Sequence, residues 1–471
     1  MADQSARAHL AGLARDGQVL RIPGPVSARF ELASLLALLD DGPAVVIDRV
    51  DGFNFPVVSN LLNSRARFAR ALGCGVGEIT ASITRATTSG FAPETAAEAA
   101  CQEVVVTAEQ HDDLLSLLPI PHFFEFDSGP YITAGLVIGH EPASGYRNAS
   151  YARVKPLGRN RAFIGIAPNH HLTALSRQAA EQGRPLDVAI ALGTHPAIQM
   201  AGCFYLQLGQ DELANAGALL GEPVRVTPGA TVDVLVPAEA EIVIEAKLHF
   251  DQKVAEGWVS EYHGMYEDYG DGQVLQITAL THRRDASFQV IMPGLFSEHA
   301  LLGGLSVGAG LITALRQATI PVVDLAVTKA GGGRVNVVAA VEPLKPGQAK
   351  RAFFACWAAV SMIKQITLVD ADIDVWDYEQ VEWARNARMR WDEDTFSVPD
   401  AITDRNEPMQ EGSVVTKIGL DATMKPGRRR TNWQRALPPA EALRAAHERL
   451  VGDGLQAWLA PGMGVAALVD G

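Results

Sequence analysis

VDVLVPAEAEIVIEAKLHF (232–250), EGWVSE (256–261) and QVLQITALTHR (273–283) follow one another in the middle of the chain. In the two outer segments β-branched and apolar residues alternate between Pro, Gly and Asp turns, the period-2 pattern of strands. LDVAIALG (186–193) repeats the pattern. Together these stretches predict a mostly antiparallel barrel with few helices across 115–298. DELANAGALLG (211–221) is the helical exception, with Asp211 as N-cap and Gly221 as stop.

On the N-terminal side, ARFELASLLALLDD (28–41) and SRARFARALG (64–73) have helical spacing and flank the strand-like PAVVIDRV (43–50). This predicts an α/β lobe over 1–114. On the C-terminal side a glycine-permissive linker helix (299–318) leads into a βαβ pattern over 319–471. There, IPVVDLAVTKAGGGRVNVVAAVEP (320–343) reads as a hairpin turning at Gly331–Gly333. RAFFACWAAVSMI (351–363) and YEQVEWARNARM (378–389) read as helices around the buried strand KQITLVDADIDVWD (364–377). The expected architecture is an α+β, α/β multidomain protein. Arg428–Arg430 form a basic run in a polar tail, read as solvated or partner-contacting.

With 54 acidic against 40 basic residues among 471, the net charge is −14. Phosphate backbones would repel such a chain, so nucleic acid is not an expected partner. Four dispersed cysteines without a CxxC pair argue against a disulfide framework or zinc knot. The N-terminus lacks the apolar core of a signal peptide. The apolar stretch 301–315 is short of the roughly 20 residues a membrane span needs. A soluble, cytoplasmic protein is expected.

Two constellations carry chemistry. Glu256 and Glu261 stand beside Gly257 and Trp258 between apolar strands, where solvated carboxylates are least expected. Taken alone they read as surface glutamates. Buried near Arg153, one can stay ionised while the other serves as a proton donor. Asn148, His171 and Glu212 offer an amide oxygen, an imidazole and a carboxylate. That mixed set suits Mn²⁺ or Mg²⁺ on a phosphate better than structural zinc, although each residue alone is more often structural.

Ten segments in order resemble the UbiD family of decarboxylases, which use prenylated flavin mononucleotide. They are FNFPVVSNLLNSRARFARALG (53–73), NASYAR (148–153), NHHL (169–172), ALGTHPAIQMAG (191–202) and DELANAGALLGEPV (211–224). They continue through VPAEAEIVIEA (236–246), EGWVSEYHGMY (256–266), THR (281–283), VDADIDVWDYEQVEWARNAR (369–388) and KIGLDAT (417–423). The resemblance implies that the central barrel is a split-barrel flavin-binding domain and the C-terminal α/β domain an oligomerisation domain, giving a homodimer or higher homo-oligomer. It places Arg153, Glu256 and Glu261 in a catalytic Glu–Arg–Glu network, and Asn148, His171 and Glu212 at the divalent metal on the flavin phosphate. Ser150, Tyr151, His170 and the turn at Ala201–Gly202 fall where the cofactor and a monovalent cation, K⁺, are held. Lys364 matches a lysine reaching the phosphate. Asp370, Asp372 and Asp374 look like ligands but read better as a strand end at the core. One departure stands out: the family's EGPFGE loop is EGWVSE here, so Trp258 can reshape the pocket.

Loss of CO₂ from an sp² carbon leaves a localised carbanion that side chains alone cannot stabilise, so an electron-accepting cofactor is needed. The resemblance implies a covalent adduct between substrate and prenylated FMN, with a flavin prenyltransferase supplying the cofactor. In the expected roles, Arg153 orients the substrate carboxylate, Glu256 holds Arg153, and Glu261 protonates the carbon after CO₂ leaves. His299 in SEHALLGG (297–304) could hydrogen-bond a heteroaromatic ring, or simply start its helix. No Lys or Arg lies between 300 and 315 to clamp a second carboxylate. The expected substrate is an indole-, pyrrole- or furan-type monocarboxylate, decarboxylated reversibly. Cinnamate- or polyene-type acids are the alternative. A split-barrel flavin reductase and a non-catalytic assembly subunit are the alternatives of other classes.

Overall fold

The alternation in the central segments is realised as one large antiparallel sheet. The structure, a computed structural model, describes residues 3–141, 145–168, 170–425, 427, 435–459 and 465. Asn169 and Arg428–Arg430 lie outside the described residues. The chain folds as two compact units, residues 1–309 and 310–471.

In the first unit the large sheet runs in the order Tyr146–Tyr151, Leu136–Glu141, Leu186–Leu192, Ile242–Ala255, Asp271–His282, Arg161–Gly165, Arg153–Gly158. Val104–Thr107, from the stretch assigned to the N-terminal lobe, also pairs with Asp271–His282. The first and last strands of that order are joined through a single residue, Ala152. Two residues of chain reach at most about 7 Å, so the sheet curls until its outer edges approach one another. Alternate residues Leu186, Val188, Ile190 and Leu192 meet Ile242, Ile244, Ala246 and Leu248 in one core. Burying each such aliphatic side chain contributes about 1.5–3 kcal/mol. Helix His171–Glu181 adds Leu172, Leu175 and Ala179 to that core.

The segment 232–250 is not one strand. The chain turns after Pro237, with Ala240 N–H bonding Pro237 O. Leu235–Pro237 joins a separate three-stranded sheet with Arg225–Pro228 and Glu94–Thr95. A four-stranded sheet of Val19–Ile22, Ala44–Ile47, Val57–Ser59 and Phe288–Gln289 completes the unit. Helices Arg65–Leu72 and Glu212–Leu220 form as their caps dictate: Ser64 and Asp211 accept at the N-termini, and Gly73 and Gly221 end them with φ of 63° and 78°.

The second unit is a five-stranded sheet in the order Val322–Val327, Asn336–Val341, Gln365–Asp370, Val414–Asp421, Thr395–Ile402. The first two strands form the expected hairpin, and the next pairings are parallel, crossed by helices Gln348–Ala359 and Tyr378–Arg388. Asp370 and Asp372 both bind the buried Arg388 at 2.8 Å, a strand-end ion pair rather than a ligand set. The apolar stretch 301–315 lies inside the helix expected over 299–318. Ser297–Gln317 runs 21 residues, long and apolar enough by composition to cross a bilayer, and most of its apolar window is packed inside the protein.

Candidate active site

Arg153 opens the last strand of the curled sheet, and Glu256 directly follows the long strand Ile242–Ala255. The guanidinium grips Glu256 bidentately, Nε to Oε1 at 2.5 Å and Nη2 to Oε2 at 2.6 Å. Its remaining Nη1 reaches Glu261 Oε1 at 3.4 Å. Gly257, at φ 78°, lets the chain leave Glu256 sharply, and a side chain there would press on Ser128. The short hairpin Val259–Ser260 with Tyr266–Glu267 then presents Glu261. EGWVSE therefore reaches the Glu–Arg–Glu arrangement without the proline and second glycine of the EGPFGE pattern.

Burial by itself would weaken Arg153's hold on its proton, but the hydrogen bonds and charge of Glu256, with the charge of Glu261, outweigh it and raise its pKa. The Tyr269 ring lies under the guanidinium at 5.2 Å. Burial first, then the charge of Glu261 beside it, keeps the Tyr269 hydroxyl protonated. Glu256 is 2 % exposed and also receives the Tyr131 hydroxyl at 3.3 Å. Glu261 is held more loosely: its side chain is 11 % exposed, and it takes the long Arg153 contact and the amide of Tyr262 at 3.1 Å. The two carboxylates are thus unequal: Glu256 is buried and gripped by two short bonds, whereas Glu261 meets the guanidinium through one long contact and is partly exposed.

On strand Tyr146–Tyr151, Asn148 Nδ2 donates to Glu212 Oε1 at 3.0 Å and the Ala149 amide to Oε2 at 2.8 Å. Ser150 Oγ donates to Asn148 Oδ1 at 3.1 Å. His171 Nδ1 lies 3.0 Å from the hydroxyl of Tyr146, on the same strand as Asn148. Burial pushes the Glu212 carboxyl up to about 7, with the Ala149 amide pulling back, and lowers the His171 imidazole. A neutral imidazole, an amide oxygen and a buried carboxylate whose charge is poorly compensated are donor types that suit a hard divalent cation. Among the described residues no three His, Cys, Asp or Glu side chains cluster as a metal site; this set includes an amide.

His170 Nδ1 caps helix His171–Glu181 at Leu172 N, which requires a neutral ring, and burial lowers its pKa to about 4. Ala201 and Gly202 end a short helix, and a side chain at Gly202 would collide with Leu136 and touch the Tyr151 ring. The Tyr151 hydroxyl is buried with no hydrogen-bond partner among the described residues, an orphan that a bound group would satisfy. His299 Nδ1 is tied to the loop at Gly294, 2.8 Å from its carbonyl. Gly294 in turn lies against the Glu261 carbonyl, where a Cβ would sit 3.5 Å away. Lys364, in the second unit, pairs with the buried Glu407 at 2.6 Å. Sequence reasoning missed Tyr131, Lys155 and Tyr269. Lys155 alone had a signal: it follows Arg153 by two in RVK, so both face one side of a strand.

Three family models match in order: the N-terminal domain (10–87), the Rift-related domain (94–296) and the C-terminal domain (300–422) of 3-octaprenyl-4-hydroxybenzoate carboxy-lyase. The anhydromevalonate phosphate decarboxylase of Methanosarcina mazei is 32% identical over 430 residues, 91% of this chain and 98% of its own. That of Methanothermobacter thermautotrophicus is 31% identical, covering 86% and 94%. Among solved structures, the UbiD-class enzyme HmfF from Pelotomaculum thermopropionicum in complex with FMN superposes with a TM-score of 0.90 at 35% identity, covering 94% of this chain and 99% of that one. The 3,4-dihydroxybenzoic acid decarboxylase from Enterobacter cloacae gives 0.87 at 26%, with the same coverage. Since every domain model carries the same carboxy-lyase description and the matches run nearly end to end, the chain belongs to the UbiD family of carboxy-lyases.

Proposed function

We propose that this carboxy-lyase reversibly decarboxylates an aromatic or heteroaromatic monocarboxylate, of indole, pyrrole or furan type, with prenylated FMN as cofactor. The observation that carries the reading is the guanidinium of Arg153 shared between a bidentately gripped Glu256 and a loosely held Glu261. Family membership leaves the flavin-reductase and assembly-subunit readings without support.

Asn148, His171 and Glu212 would hold Mn²⁺ or Mg²⁺ against the flavin phosphate, and the curled sheet would be the split-barrel flavin-binding domain spanning 115–298. Ser150, Tyr151, His170 and Ala201–Gly202 would line the cofactor and a K⁺ ion. When bound, prenylated FMN supplies a sink for the electron pair left as the C–CO₂ bond breaks. Arg153 binds and orients the substrate carboxylate. Glu256, through its two short bonds to the guanidinium, holds Arg153 in place. Glu261 delivers its proton to the carbon that loses CO₂ and is reprotonated from solvent. His299, fixed to Gly294 beside the Glu261 backbone, faces the ring. The C-terminal α/β domain would mediate a homodimer or larger homo-oligomer.

A second reading has its own support: the anhydromevalonate phosphate decarboxylases at 31% and 32% identity act on a phosphorylated acid rather than an aryl one. One panel separates the two. Protein co-expressed with a flavin prenyltransferase should show absorbance beyond that of FMN and release CO₂ from heteroaryl acids. Turnover of anhydromevalonate phosphate with none of heteroaryl acids would replace the first reading by the second, and turnover of cinnamate-type acids alone would overturn the first in favour of an α,β-unsaturated acid.

A further inference from the structure

Behind the Arg153–Glu256–Glu261 network lies a second cation. Lys155 shares a face of its strand with Arg153 and is buried, 7 % exposed. Its ammonium donates to two neutral oxygens, Ser128 Oγ at 2.9 Å and the backbone carbonyl of Glu256. Ser128 Oγ donates to that same carbonyl at 2.6 Å, and the Ser128 amide donates to Trp258 O at 2.7 Å. Tyr131 closes the group, 3.0 Å from Ser128 Oγ and 3.3 Å from Glu256 Oε1. Both ends of the Glu256–Gly257–Trp258 turn are therefore pinned to residues 128, 131 and 155. A buried ammonium is costly, and an apolar side chain of similar length would fill the same space.

We infer that Lys155 is a positioning residue of the decarboxylation: with Ser128 and Tyr131 it anchors the Glu256 end of the catalytic loop, so the bidentate face of Arg153 is committed to Glu256 and Glu261 remains the carboxyl that exchanges a proton with the substrate carbon. The inference rests on the decarboxylase reading above. Loop geometry makes it consequential, since Glu261 hangs on the same loop five residues later, and a misplacement of about 1 Å in a reacting group can cost on the order of 100-fold.

The charge of Lys155 adds a pH signature. Burial lowers its pKa, opposed by the charge of Glu256 and assisted by that of Arg153. The other groups facing it are Tyr131, held protonated by burial and by Glu256, and the aromatic face of Phe163 at 5.7 Å. Asp127 at the Ser260 amide and Tyr269 beneath Arg153 face the network from other segments. Lys155 therefore loses its ammonium below the usual lysine range, and the wild-type rate should fall as pH rises through that point. An arginine would stay charged there.

The test compares Lys155→Met, Lys155→Gln and Lys155→Arg. In cofactor-loaded enzyme, Lys155→Met should lower kcat roughly 10-fold or more with KM little changed. Lys155→Arg should recover most of kcat and lose the alkaline fall. In protein without cofactor, the ¹⁵N-labelled Nε–H of Arg153, identified by its absence in Arg153→Lys, should be protected from solvent exchange in wild type and exposed in Lys155→Met. Unchanged kcat in Lys155→Met, a loss in KM alone, or an unchanged Arg153 signal would overturn the inference. Should Lys155→Met fail to fold, Lys155→Gln, which keeps a donor but no charge, carries the same readouts. A wild-type protein that decarboxylates nothing would sink the functional reading, and the Arg153 signal would still decide this one.

Discussion

Replacing Arg153 with methionine keeps most of the side chain's bulk and removes its charge, which leaves Glu256 buried without its main partner. The loss can be sized from the geometry. Two charge-assisted hydrogen bonds, at 2.5 Å and 2.6 Å, disappear from a carboxylate that is 2 % exposed. Each such bond contributes about 1.5–3 kcal/mol, and breaking a buried ion pair typically costs about 3–5 kcal/mol. Tyr131 and the nearby Lys155 charge survive in the variant, so the lower end applies, about 3 kcal/mol. In a unit of this size that lowers Tm by roughly 5 °C. Glu256 can escape the penalty only by taking up a proton, so the destabilisation should be largest at neutral pH and shrink as pH falls. Thermal unfolding of the cofactor-free protein, followed by tryptophan fluorescence at pH 5 and pH 7.5, reads both effects. Adding Glu256→Gln to Arg153→Met removes the stranded charge and should restore much of the loss. A single variant within about 1 °C of wild type at both pH values, or a double variant no better than the single, would refute a network held together by a buried charge pair.

Further outcomes follow from other buried groups. Glu298 accepts the amides of Asn60 and Leu62, yet burial outweighs both and raises its pKa to about 7 from an ordinary 4.5. The folded protein thus holds a proton the unfolded chain gives up. This stabilisation is full below about pH 4.5 and is lost as pH rises through about 7, roughly 3 kcal/mol in all. Glu298→Gln should flatten that slope in urea unfolding; an unaltered slope would assign it to other groups. At the second cluster, dialysis against a chelator should release the flavin from loaded enzyme, and Mn²⁺ or Mg²⁺ should restore its retention. Glu212→Ala should fail to retain flavin even with metal; a variant that keeps it would remove Glu212 from cofactor binding. His299→Ala should alter kcat/KM among ring types by about 10-fold while sparing the stability of the cofactor-free protein, and equal losses for every acid would reduce His299 to a loop anchor.

Much of this was legible in the sequence, for identifiable reasons. Period-2 strands and capped helices are local properties, so Leu186–Leu192, Glu212–Leu220 and the hairpin Val322–Val327 with Asn336–Val341 could be read from residue order alone. Pro237 marks where the alternation misleads: it continues through 232–250, while the chain turns after Pro237 and the two halves enter different sheets. The site residues Asn148, Arg153, Glu212, Glu256 and Glu261 were found through motif resemblance, and the structure joins them by contacts across some 60 to 110 residues of chain. What no local pattern encodes is the company each keeps. Tyr131 and Tyr269 come from segments without alternation or motif, and only folding brings them against Glu256 and Arg153. The inequality of the two glutamates is likewise a tertiary property: Arg153 grips Glu256 with two short bonds and reaches Glu261 with one long one.

That inequality carries the chemistry, and Glu261→Gln probes it with one atom changed. The amide keeps the shape and the Arg153 contact but has no proton to give. In enzyme loaded with prenylated FMN, with an accepted acid as substrate, CO₂ release should fall on the order of 100- to 10,000-fold, with Tm unchanged. Release at close to the wild-type rate would show that Glu261 is not the proton donor.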